Sequence, residues 1–134
     1  MRLLSFERRW LRTLCETMLP DAPGVPGARG VPLEAFFDEF FANAPWLSAF
    51  GVRAVTWVLT LAPLLWRGRT FGGLAPVERV RLLDALDQSP VYLAREAPGL
   101  VKLVACLAWA AMPDTQRALG VHAPDPAPDW AVTR

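Results

Sequence analysis

From Pro45 to Trp66 the chain reads PWLSAFGVRAVTWVLTLAPLLW, a run in which Arg53 is the only charged side chain. A helix that is apolar on every side must be covered on every side, by its own fold, by another protein or by lipid. That demand organises the rest of the chain. The stretch is long enough to cross a bilayer, with tryptophans at both ends and Arg67 and Arg69 just beyond. Against spanning stand Arg53, which costs about 2.5–3.5 kcal/mol near a bilayer centre on insertion scales, and the breakers Gly51 and Pro63. Burial inside a helical domain and exposure to a partner or a membrane surface remain open. Pro63 kinks or ends the helix, and the following LLW then projects as a hydrophobic tip.

The rest of the sequence reads as helices separated by Pro/Gly breaks. A first helix is expected from Ser5 to Leu19, with Ser5 as cap and Pro20 as stop. Phe6, Trp10, Leu11, Leu14, Cys15, Met18 and Leu19 form its apolar face, and Glu7, Arg8, Arg12 and Glu16 a solvated one. PDAPGVPGARG, residues 20–30, holds too many prolines and glycines for a regular element and reads as a loop. Beyond Pro32 comes a helix with Leu33, Phe36, Phe37, Phe40 and Phe41 on one face. Its acidic residues, Glu34, Asp38 and Glu39, are expected to face solvent.

After the central stretch, RGRTFGG is a glycine-rich basic turn with no dinucleotide spacing and no preceding strand. Pro76 then opens a helix to about Gln88, with Val77, Val80, Leu83 and Leu86 expected inside. Val91–Met112 is a second long helical run, interrupted at Pro98-Gly99, whose small residues Ala105, Cys106, Ala108, Ala110 and Ala111 allow close helix approach. Pro113 ends it, and Gly120 closes a last short turn. The expected fold is all-α: a single compact bundle of about five to six helices over residues 1–122, followed by a Pro-rich extended tail, 123–134, with Trp130 as an anchor.

With 53% hydrophobic residues in 134, the chain is long enough for one domain that buries roughly two-thirds of its unfolded surface. The formal charge of +1 sets up no field to gather nucleic acid or an acidic substrate. Cys15 and Cys106 both fall on apolar helix faces and read as buried thiols. Charges at Glu7, Arg8, Arg9, Arg12 and Glu16 occupy the place where a signal peptide needs its apolar core, so no export signal is read and a cytoplasmic or peripherally membrane-associated location is expected. His122 is the sole histidine, and no cysteine or histidine spacing fits a metal site. No nucleophile elbow or paired acid and base is present, so no catalytic, cofactor-binding or metal-ligating residue is assigned. The candidate site is an apolar binding surface made by Trp46, Phe50, Trp57, Leu61, Leu64, Leu65 and Trp66.

The order of three segments, LCETMLPDAPGVPGARGVPLEAFFDEFF, FGGLAPVERVRLLDAL and LVKLVACLAWAAMPDTQRALGV, resembles the small subunit (subunit 3, gamma) of gluconate 2-dehydrogenase-type flavin dehydrogenases. It is similar also to the helical N-terminal region of long-chain alcohol oxidases of the glucose-methanol-choline type. The features that match are Phe71 preceding a Leu-x-x-x-x-Arg helix, with Leu74 and Arg79, and Pro113 before the Leu119-Gly120 turn. The resemblance implies a non-catalytic accessory subunit of a separate flavoprotein oxidoreductase, with FAD held by the partner chain and none in this one. Two departures are the missing twin-arginine export signal and the greasiness of Pro45–Trp66, which leans toward an apolar substrate or lipid contact. The alternative is a stand-alone helical module holding an apolar ligand or lipid among Phe36, Phe40, Phe50 and Trp57.

Overall fold

A computed structural model of the chain describes residues 1–121. The expected tail, with His122 and Trp130, lies outside the described residues. The all-α reading is what the chain forms: α1 (Ser5–Met18), α2 (Leu33–Asn43), α3 (Trp46–Leu61), α4 (Leu64–Arg67), α5 (Pro76–Asp87), α6 (Tyr92–Ala110) and α7 (Pro113–Ala118). Short 3-10 turns at Ala28–Gly30 and Phe71–Gly73 join them, and the described residues contain no strand, only an isolated bridge between Ala22 and Val25.

Each long helix buries one face at three- and four-residue spacing. α1 contributes Leu11, Leu14 and Cys15, α2 Leu33, Phe36, Phe37 and Phe41, and α6 Val101, Val104, Ala105 and Ala108. The α3 face, Ala49, Val52, Thr56, Leu59 and Thr60, is made of small and β-branched residues apart from Leu59, which lets α1 and α6 approach it closely. α6 packs against α1, α3 and α5 and forms the spine of the bundle.

Several local expectations are corrected. Ser5 is the first helical residue rather than the cap; Leu4 caps α1, and its N–H donates to Glu7 Oε2 at 2.7 Å. α6 runs unbroken through Pro98, which is buried in its interior. Proline removes one helical donor, but side chains packed against α6 on three sides hold the helix together. Val77 and Val80 are exposed, and α5 instead turns Leu83, with Leu82 and Leu86 half-buried, toward the core. Cys106 is half-buried, while Cys15 alone is fully buried.

The loop at residues 20–30 is folded tightly onto the end of α1. Ala28 N–H donates to the Leu19 carbonyl at 2.9 Å and Gly27 N–H to Asp21 Oδ1 at 2.8 Å. Gly27 is required by space, because a Cβ there would lie 2.6 Å from the Leu19 carbonyl oxygen. Trp109 Nε1, from α6, reaches across to the Pro26 carbonyl at 2.6 Å. At the other end, Arg79 donates to the carbonyls of Phe71 (3.1 Å) and Gly72 (2.6 Å), with its guanidinium 6.0 Å from the centre of the buried Phe71 ring. Phe71, Leu74 and Arg79 thus form a structural clasp. Gly120 closes α7 at φ +70°, as its position beyond Leu119 led one to expect.

Candidate apolar binding surface

The central stretch is only half covered by its own domain. On a side of α3 next to its buried face, Trp46, Phe50, Trp57 and Leu61 recur at i, i+4, i+11 and i+15 and so share one side of the helix. Trp46 is 73% exposed; Phe50 and Trp57 are exposed, and Leu61 is half-buried. After Pro63 the stripe continues into α4, where Leu64, Leu65 and Trp66 are all exposed, Leu65 at 86%. Gly68, at φ +67°, ends the tip. The seven candidate residues therefore lie on one continuous helical segment, and six of them reach the surface.

Arg53, the lone charge of the stretch, proves to be partnered. Its Nε donates to Glu7 Oε1 at 2.6 Å, and Trp57 Nε1 donates to the same oxygen at 2.7 Å. With the Leu4 N–H on Oε2, the Glu7 carboxylate accepts three hydrogen bonds while being 0% exposed. Burial pushes its pKa up, but the bonds from Leu4, Trp57 and Arg53 together with the Arg53 charge outweigh burial and hold it below the ordinary carboxylate range. Glu7 was expected on a solvated face. Its spacing from Leu11 and Leu14, at i+4 and i+7, was the available signal that it belongs to the buried one.

Two further ion pairs link α1 to α2. Arg8 pairs with Asp38 at 2.6 Å, and Arg12 bridges Glu34 at 2.5 Å and Glu16 at 2.9 Å. Trp57 also completes an aromatic cluster, edge-on to Phe6 (5.6 Å between centroids) and to Trp10 (5.1 Å). It is a structural residue with one exposed edge.

A second apolar feature was not foreseen. A cleft of about 700 Å³ opens between α3, α5 and α6, walled by Val55, Val58 and Leu59 of α3, Leu82 and Leu86 of α5, and Leu93, Ala97 and Leu100 of α6. Trp66 of α4 also lines it, and Glu96 is its one ionisable wall residue. Two of its wall residues, Val58 and Leu93, are exposed apolar side chains in the fold, and no local spacing along the chain marks the place where α3, α5 and α6 meet. Of the residues in the alternative ligand reading, Phe36 and Phe40 border a shallow depression with Glu39, Asn43, Ala44, Pro45 and Ser48, while Phe50 and Trp57 are not among its walls. Among the described residues no cluster of three or more His, Cys, Asp or Glu side chains is placed to hold a metal ion.

Comparison of the chain with protein-family models, with curated proteins and with solved structures gives no match.

Proposed function

We propose that this chain is a non-catalytic helical accessory subunit that binds a flavin-dependent alcohol or sugar dehydrogenase or oxidase of the glucose-methanol-choline type through the outer face of α3 and α4. The observation that carries the docking role is the stripe from Trp46 to Trp66, large apolar side chains left open on a helix whose neighbouring face is packed into the core. Contiguous exposed apolar surface of this kind marks an interaction site. Covering Trp46, Phe50, Leu65 and Trp66 would contribute on the order of 5 kcal/mol before the cost of association. The nature of the partner rests on the resemblance of the three sequence segments, with FAD and the catalytic groups belonging to that partner.

The segment Trp46–Arg67 is long and apolar enough to cross a membrane by length and composition, and 33% of its apolar 18-residue window is buried inside the domain. A peripheral membrane contact through the α4 tip agrees with that burial better than a full crossing does. A second reading, favoured by the 700 Å³ cleft, is a domain that holds an apolar ligand.

Affinity capture of the tagged chain from its native host in gentle detergent, read by mass spectrometry and flavin absorbance, tests the first reading. A flavoprotein in near-equal amount is expected, and the Leu65→Asp variant should lose it while its thermal unfolding stays within about 0.5 kcal/mol of wild type. A chain recovered alone, monomeric and soluble without detergent, would overturn the accessory-subunit assignment.

A further inference from the structure

A second cleft lies beside the apolar one, on the side of Trp66. Trp66, Leu82 and Leu86 are also walls of an adjoining cleft of about 520 Å³, whose remaining lining is Arg67, Leu74, Glu78, Arg81, Ala85 and Ser89. The two spaces share one wall and differ sharply in chemistry. The first is apolar apart from Glu96, and the second carries two guanidinium groups and one carboxylate. Glu78 is turned to its own helix start, where it accepts the Ala75 N–H at 3.4 Å. Arg67 and Arg81 have no ion pair or side-chain hydrogen bond among the described residues, as is true also of Arg2, Arg9, Arg29 and Arg69, but they are the two that line a cleft beside the apolar one. Two unpartnered cations beside an apolar cleft match a molecule with an apolar body and a negative head.

We infer that these adjoining clefts are a binding site for a single-chain anionic amphiphile, its alkyl chain lying between α3, α5 and α6 and its carboxylate-like head held by Arg67 and Arg81. This deepens the second functional reading and rests on it. The volume of the apolar part falls within the roughly 300–1,000 Å³ of small-molecule sites. Charge sets the orientation: Glu96, on the α6 wall of the apolar cleft and absent from the adjoining one, repels a negative head, whereas the arginine pair attracts it. Guanidinium groups also match a carboxylate in shape, since each offers a planar fork of donors.

Isothermal titration of the full chain with octanoate, decanoate, decanol and decyltrimethylammonium, all below their micelle-forming concentrations, tests the site. Decanoate should bind roughly tenfold tighter than octanoate, because two further methylenes are buried. It should bind more tightly than decanol, and decyltrimethylammonium should bind least. The paired substitution Arg67→Ala and Arg81→Ala, both at exposed positions, should weaken decanoate about tenfold and leave decanol unchanged. Ala97→Trp, which fills the cleft, should abolish both, with circular dichroism confirming that the helices remain. Decanol binding as tightly as decanoate would overturn the anionic assignment while leaving an apolar-ligand module standing. Binding to none of the four would overturn both. Association only with vesicles of mixed anionic and zwitterionic phospholipid, with no uptake of free decanoate, would overturn the site in favour of a surface contact.

Discussion

Replacing Arg53 by Met removes the cation that faces the Glu7 carboxylate and leaves the rest of α3 chemically unchanged. Glu7 is wholly shielded from water, so the carboxylate would keep the Leu4 and Trp57 donors but lose its charged partner. Breaking a buried pair from one side costs about 3–5 kcal/mol. The Arg53 side chain retains 31% exposure, which moves the expectation to the lower end, about 3 kcal/mol. For a chain of this length that corresponds to roughly 10 °C in Tm. Urea unfolding followed by tryptophan fluorescence should show a lower midpoint with an unchanged m-value. Adding Glu7→Leu to Arg53→Met should restore stability to within about 1 kcal/mol of wild type, since no buried charge is then left alone. A single variant that loses less than about 1 kcal/mol, or a double variant no better than the single, would refute the view that Arg53 neutralises a buried carboxylate.

The same pair sets an acid limit. The folded-state pKa of Glu7 lies below its unfolded value of about 4.5, so the unfolded chain binds the proton more readily in that window. The contribution of Glu7 is fully present above the unfolded pKa and is lost as the pH falls through the folded one. Wild type should therefore lose stability on acidification below about pH 4.5, and the double variant should lose less, as urea midpoints measured across that range would show. Gly27→Ala should destabilise by about 1–3 kcal/mol, because its Cβ meets the backbone at Leu19, Pro20 and Asp21, none of which can yield; an unchanged urea midpoint would refute this. The Cys15 thiol, pushed up to about 12 by burial first and by Glu16 next, should resist alkylation by iodoacetamide in the native state. Cys106, half-buried, should be modified first in a mass-spectrometric time course. Thr60→Val should raise stability by about 1 kcal/mol in thermal unfolding, since the Thr60 hydroxyl is buried with no hydrogen-bond partner among the described residues.

Much of the architecture was legible because helices and breakers are local. The Phe36, Phe37 and Phe41 face, the Pro63 break and the Gly120 stop each depend on residues within one or two turns. The candidate stripe was legible for the same reason, as Trp46, Phe50 and Trp57 lie on one side of any helix they form. Pro98 misled because a helix is held by its surroundings as well as by its own hydrogen bonds. Val77 and Val80 misled because periodicity gives the apolar side of a helix only as an average, and α5 packs through its adjacent Leu82, Leu83 and Leu86 side.

By itself the sequence determined the helical class, the element order, the loop positions and the presence of an apolar segment too large to cover locally. Those follow from spacing, propensity and the fixed geometry of Pro and Gly. Only the tertiary structure decided that Glu7, Arg53 and Trp57 meet, 46 and 50 residues apart along the chain. It alone decided which half of α3 is covered, because α1 and α6 occupy one face and leave the other open. The cleft and its arginine-lined extension exist only where α3, α4, α5 and α6 converge. Contacts between distant segments depend on the angles at which helices pack, and no short-range pattern of residues encodes those angles.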